Sequence, residues 1–226
     1  MRFAVLGSGS QGNGTLIASD DTVVLVDCGF SLRETEKRLL RLGINPAQLS
    51  AILVTHEHAD HVHGVGLLSR RYNIPVYLSR GTLRGMRKPV DPAGFVAGGD
   101  HLQIGGLDIG VIAVAHDAQE PTQYVFSDGT RRFGLLTDLG SYCATVLDGY
   151  KDLDALMIES NHCRDRLARG HYPTFLKQRV GGELGHLNNH QAAFLVSELG
   201  WKDLQHLVLA HLSSKNNLPQ LARQCF

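Results

Sequence analysis

The residues best suited to chemistry crowd into one stretch, Thr55-His56-Glu57-His58-Ala59-Asp60-His61-Val62-His63. It follows Ala51-Ile52-Leu53-Val54, a short apolar run rich in branched side chains that predicts a buried strand. In an extended segment, side chains two residues apart point the same way. His56, His58 and Asp60 are therefore expected to converge where the chain leaves that strand, with His61, out of period, facing a second position beside them. Imidazole nitrogens with a carboxylate oxygen form a borderline donor set that suits zinc first, and also manganese or iron. Four potential ligands at a strand end point to metal binding rather than to a polar loop.

Two such ions need roughly six or seven protein ligands if each also keeps a water. The remaining candidates each end an apolar run: His116 after residues 110–115, Asp138 after residues 133–137, and His211 after residues 206–210. Taken singly, each is an ordinary strand-end polar residue. The weight lies in the recurrence, because rigid sheet edges are good at presenting ligands.

The elements that must position these residues are legible in outline. Strands are predicted at residues 3–6, 15–18, 22–26, 51–54 and 76–78, then at 95–97, 102–104, 107–115, 123–127 and 132–137, and finally at 155–159 and 205–210. Helices are predicted from the capping-box pattern Ser31-x-x-Glu34 to Gly43, and at 65–71, 82–87, 142–147, 188–199 and 218–224. Residues 164–179 read as basic and helical, interrupted by Pro173. This many short strands excludes a purely doubly wound parallel sheet. The expected class is α/β (α+β), a four-layer αββα sandwich of two mixed sheets in a single domain covering residues 1–226.

Composition narrows the function classes. Hydrophobic residues at 43% and charged residues at 19% are ordinary globular values and argue against disorder. A formal net charge of zero means that a polyanionic partner must be met by a local patch. Cys28, Cys143, Cys163 and Cys225 are scattered, which is no disulfide framework, and reduced thiols in a cytoplasmic protein are expected. No apolar stretch reaches the roughly 18–20 residues of a membrane span.

The set His56-x-His58-x-Asp60-His61, His116, Asp138 and His211, together with Leu25-Val-Asp27-Cys-Gly, resembles the metallo-β-lactamase fold hydrolases. Glu159-Ser-Asn-His162, the segment 172–179, Gly185-His186-Leu-Asn-Asn189, residues 210–217 and the glycine-rich 7–13 are similar to its YycJ (WalJ) branch. The resemblance implies two divalent ions, one on His56, His58 and His116, the other on Asp60, His61 and His211, with Asp138 bridging. Asp27 would orient a ligand histidine rather than bind metal. The branch implies DNA phosphodiester cleavage, as a 5′-to-3′ exonuclease, with DNA favoured over RNA as partner. Its members usually run somewhat beyond the position of Phe226, so the C-terminus is expected to be incomplete.

On this reading a hydroxide activated by two metals attacks phosphorus, with Asp60 serving catalysis as well as metal binding. His186 and His162 are the spare histidines proposed to supply the leaving alkoxide with a proton. Arg164, Arg166, Lys177 and Arg179, interleaved with Tyr172 and Phe175, form a candidate grip on a phosphate backbone. Small-molecule ester or thioester hydrolysis on the same ions is the alternative, though it leaves the His162 and His186 pair and the basic segment unexplained. A redox di-iron reading is disfavoured by histidine at 58, and a non-catalytic scaffold by the complete ligand set. Oligomeric state is not legible.

Overall fold

The computed structural model describes residues 1–200 and 204–226. Its first strands and helices are β1 (Arg2–Gly7), β2 (Gly14–Ser19), β3 (Thr22–Val26), α1 (Leu32–Arg41), β4 (Ala51–Leu53), α2 (Ala59–Val62), α3 (Val65–Tyr72), β5 (Val76–Leu78), α4 (Arg80–Gly85), β6 (Gly94–Phe95), β7 (His101–Ile104) and β8 (Leu107–Ala113). There follow β9 (Thr122–Ser127), β10 (Arg132–Leu136), α5 (Ala144–Gly149), β11 (Ala155–Glu159), α6 (Arg164–Arg169), α7 (Thr174–Val180), α8 (Asn189–Leu199), β12 (His206–Ala210) and α9 (Pro219–Arg223). The strands form two six-stranded mixed sheets, β1 to β6 and β7 to β12. The chain divides into two compact units, residues 1–111 with 118–122 and 127–130, and residues 112–117, 123–126 and 131–226.

In the first unit β1, β2 and β3 form an antiparallel meander, and β3, β4, β5 and β6 then run parallel. Parallel neighbours need a crossover, here supplied by helices. α1 links β3 to β4, and its Leu39 is fully buried with Leu25, Ile52, Val76 and Leu78 in the unit's core. The predicted capping box at its start is only half formed: Ser31 Oγ accepts from the Glu34 N–H, but the Glu34 carboxylate turns to Arg38 at 2.9 Å. Because Val26 pairs with Leu53, the segments leaving β3 and β4 emerge side by side at the carboxyl ends of parallel strands.

The second unit holds β10, β11 and β12 as parallel neighbours, with Leu136 opposite Ile158 and Glu159 opposite Ala210. This register brings the chain beyond β10, the last residue of β11 and the chain beyond β12 to one edge. Tyr150 of the core is fully buried, and its hydroxyl donates to the Leu135 carbonyl at 2.6 Å. α8 opens on a complete capping box between Asn188 and Gln191.

Several sequence boundaries shift. The expected helix at 82–87 runs Arg80–Gly85, and that at 142–147 runs Ala144–Gly149. Pro173 splits the basic segment into two short helices, α6 and α7, since it removes an N–H that a continuous helix would need. Among the described residues, no helix is long and apolar enough to cross a membrane.

Candidate metal centre

In the first unit, the segment after β4 carries His56 and His58 and then turns into α2, so Asp60 and His61 lie on a helical turn. The two-residue alternation expected through Asp60 therefore stops at His58. Asp27, immediately after β3, sits beside this segment. One of its carboxylate oxygens accepts from the Thr55 N–H at 2.9 Å, the other from the Thr55 hydroxyl at 2.8 Å and His61 Nδ1 at 2.7 Å. A proton held on His61 Nδ1 by this carboxylate leaves Nε2 as the lone-pair atom. His56 and His61 are almost fully buried, their ring centroids 4.1 Å apart, and His56 Nε2 lies 3.0 Å from His58 Nδ1. Gly29 lets the backbone of Asp60 and Asn13 pass close by, since a Cβ there would collide with the Asp60 carbonyl.

The Asn13 amide nitrogen reaches both His61 Nε2, at 2.9 Å, and Asp60 Oδ2, at 3.2 Å. An imidazole lone pair and a carboxylate oxygen converging on one electropositive group is the donor chemistry a divalent cation takes.

In the second unit, His116 Nδ1 donates to the Gly185 carbonyl at 3.1 Å, which turns Nε2 toward Asp117 Oδ1 at 3.3 Å and Asp138 Oδ1 at 3.9 Å. Asp138 follows β10, and its Oδ1 lies 3.3 Å from His211 Nδ1 and 3.7 Å from His186 Nδ1. Glu159, the fully buried last residue of β11, ties the group together. Its Oε1 accepts from His186 Nδ1 at 2.9 Å and His211 Nδ1 at 2.8 Å, and its Oε2 from the Leu187 N–H at 2.9 Å. Ligand atoms of Asp138, Glu159, His186 and His211 all lie within 4.8 Å of one another, so this donor set also fits a cation.

Burial alone would raise the Glu159 carboxyl, but the His186 and His211 imidazoles outweigh it and hold the group well below the usual carboxylate range. Burial would likewise lower His186, and the Glu159 carboxylate lifts it above its ordinary value instead. At His116 burial wins over Asp138 and pushes the imidazole down.

His162 differs. Burial lowers it to about 4, only partly opposed by Glu159, and its Nδ1 has no hydrogen-bond partner among the described residues. A depressed histidine favours the folded state where it is neutral. Its stabilisation is full above the unfolded value near 6.5 and is lost as pH falls toward 4, in all about 3 kcal/mol. His162→Gln should therefore lose about 2 kcal/mol less than the parent between pH 7 and 4.5 in denaturant titrations. Identical losses would refute this placement of the proton.

Asn161, Asn189 and Asn217, within the sequence signatures, form a buried amide network. Asn189 and Asn217 exchange hydrogen bonds at 3.0 and 2.8 Å, and the Asn161 amide donates to the His211 carbonyl at 2.9 Å. They fix the loop of His211 to the chain leaving β11. Three site residues also hold left-handed backbone: Asp27 at φ 59°, Asp138 at φ 53° and His211 at φ 52°.

The basic segment is largely engaged. Arg179 pairs with Asp117, Lys177 donates to the Ala168 carbonyl and Arg166 to that of Lys215. Phe175 stands 69% exposed, so it anchors nothing within the fold.

Glu159 and Asn13 are the site residues to which sequence reasoning gave no role. Glu159 carried the right signal, an acid ending an apolar strand as Asp138 does.

Residues 22–212 match the family model described as the beta-lactamase superfamily domain. The chain is 36% identical to exodeoxyribonuclease YycJ of Bacillus anthracis over 99% of its own length and 86% of the relative's. It is 33% identical to exodeoxyribonuclease WalJ of Streptococcus pneumoniae (strain R6), over 98% and 85%. Its fold matches the crystal structure of the metallo-β-lactamase fold protein YhfI from Bacillus subtilis with TM-score 0.76, covering 98% of this chain and 90% of that one at 21% identity.

Proposed function

Because this chain belongs to the β-lactamase superfamily of metal-dependent hydrolases, we propose that it is a phosphodiesterase that removes nucleotides from DNA ends, running from 5′ to 3′. The metal-holding residues of this proposal are His56, His58, Asp60 and His61 in the first unit and His116, Asp138 and His211 in the second, with zinc as the first candidate ion and manganese or iron as alternatives. What divalent cations add, when bound, is Lewis acidity toward phosphoryl oxygen and water.

The observation that carries the reading is the Glu159 clamp on His186. His186 is given no metal in this proposal, although it belongs to one of the cation-fitting clusters; the Glu159 clamp fixes its Nδ1 proton 3.7 Å from the Asp138 carboxylate. That leaves His186 Nε2 as the atom to hand a proton to the leaving alkoxide. Burial pushes His162 down to about 4, which makes it the weaker of the two candidates for supplying that proton. Asp27 keeps His61 in the tautomer that offers Nε2. Arg164, Arg166, Lys177 and Arg179 would line the backbone of the bound strand, with Arg179 contributing least because Asp117 already meets its charge. DNA as substrate is supported by the two near-full-length relatives named exodeoxyribonucleases.

The test is incubation with manganese or zinc and duplex DNA labelled at either 5′ or 3′ ends, in parallel with RNA and a thioester panel. Mononucleotide release from 5′ ends supports the proposal. Thioester hydrolysis without nucleotide release would replace it with the small-molecule reading.

A further inference from the structure

Beside the metal-holding stretch, the first unit carries a run of cations with little counter-charge. Arg80, Arg84, Arg87 and Lys88 stand against Asp91 as the one acid between residues 80 and 95, in a chain whose formal net charge is zero. All four cations are exposed. Among the described residues, Arg84, Arg87 and Lys88 make no ion pair and no side-chain hydrogen bond. Arg80 is held by a ring instead, its guanidinium carbon 4.1 Å from the centre of Phe95. α1 shows the contrast: its exposed Arg33, Lys37 and Arg41 are interleaved with Glu34 and Glu36.

The run is fixed next to the ligands. Gly85, the last residue of α4, lies so close to Glu57 that a Cβ there would stand 2.5 Å from the Glu57 Cγ. Glu57 is the residue between His56 and His58. Near the start of α4 the Glu120 carboxylate accepts from the Gly81 N–H at 2.6 Å, and the Ser79 hydroxyl donates to the Glu120 carbonyl at 2.7 Å. Glu57 Oε1 accepts from the Gln119 N–H at 2.8 Å. Both acids that touch α4 are thus turned to backbone N–H groups and not to its arginines. Arg80 and Arg84 are four residues apart, so they share a face of α4 with about 6 Å between them along its axis. A row of exposed cations at that spacing suits a chain of phosphates, each contact releasing a condensed counterion. In a neutral chain only such a local patch can draw a polyanion.

We propose that Arg80, Arg84, Arg87 and Lys88 form a sequence-independent binding surface for the phosphodiester backbone of the DNA strand whose end is cut at the metal centre. The inference rests on the nuclease reading above and adds where on the first unit the strand is held.

The probe is a labelled single DNA strand of about 20 nucleotides, longer than most single-domain sites, with phosphorothioate linkages at its 5′ end so that it is not consumed. Fluorescence anisotropy with the full chain reads Kd across a range of salt. The variant Arg84→Ala/Arg87→Ala/Lys88→Ala removes the three cations that have no partner, and spares Arg80, whose loss also uncovers Phe95. Three phosphate contacts carry a slope of about 2 in log K against log salt, so at 0.1 M salt the variant should bind roughly 10²-fold more weakly and lose that slope. Arg33→Ala/Lys37→Ala/Arg41→Ala takes the same net charge from α1 and should stay within about threefold of the parent. A patch variant that binds within about fivefold of the parent overturns the proposal, as does an equal loss in both variants, which is an effect of net charge alone. Loss of binding to phosphatidylserine vesicles with DNA affinity intact also overturns it, reassigning the patch to a membrane surface.

On unmodified DNA, kcat/KM for the long strand relative to a dinucleotide should fall about tenfold or more in the patch variant. A misfolded variant lowers both and leaves the ratio unchanged, and an unchanged ratio in a variant that melts like the parent refutes the surface alone. A parent that cuts no strand refutes the nuclease reading, and the anisotropy comparison still decides the surface.

Discussion

Replacing Asp138 with alanine should lower DNA hydrolysis by about 10³-fold, with at least one equivalent of bound metal lost. Asp138 supplies a buried negative charge within 3.9 Å of nitrogens on His116, His186 and His211. Without it the three imidazoles face one another with less counter-charge, and a cation loses a carboxylate ligand. The backbone complicates alanine, because φ at this position is 53°, where a residue with a Cβ is strained. Asparagine tolerates that region and keeps the shape, so Asp138→Asn isolates the charge. Both variants should be inactive, with asparagine closer to the parent in stability. Elemental analysis of the purified variants reads the metal, and release of end label reads the activity. Activity within tenfold of the parent in Asp138→Asn would remove Asp138 from the centre.

Glu159→Gln is expected to cost about 3 kcal/mol of stability and to lower kcat roughly 10²-fold, with KM little changed. The carboxylate is fully buried and accepts from two imidazoles and the Leu187 N–H. Glutamine substitutes an NH₂ group for one of those oxygens. Whichever way the amide turns, a donor faces a donor, either at a histidine Nδ1 or at the Leu187 N–H. The first arrangement frees His186 and His211 to adopt the other tautomer, and the second disrupts the loop that carries His186. Thermal melts report the stability, while the split between kcat and KM reports positioning. A variant that melts early yet turns over at the parent's rate would reduce Glu159 to a purely structural residue.

The ligand-bearing stretch could be read from sequence because its donors are close in the chain and follow an unmistakable apolar strand. Period two was the wrong guide beyond His58, because the chain coils into α2 at Ala59 and puts Asp60 and His61 on a helix. Strands such as Thr22–Val26 were placed to the residue, since both ends carry turn residues. Helix starts were less legible: α4 begins two residues before the expected Thr82, where Ser79 caps it. The basic segment shows what local counting misses. Its charge excess is real, but Arg179 meets Asp117, a partner that no window around residue 179 contains. Asn13 ends the glycine-rich stretch 7–13, and only tertiary structure brings it to His61 and Asp60. Glu159 was in view as part of a signature. Applying to it the strand-then-acid pattern that singled out Asp138 would have marked it.

Left-handed backbone at Asp27, Asp138 and His211 has an evolutionary corollary. Each of these non-glycine residues holds a conformation costing about 1 kcal/mol, at positions where the chemistry fixes the side chain. Glycine would relax every one of them. That relief of about 1 kcal/mol is smaller than the cost of orphaning buried partners such as the Thr55 N–H and His61 Nδ1 on Asp27, so even a library screened for heat tolerance alone should keep that carboxylate.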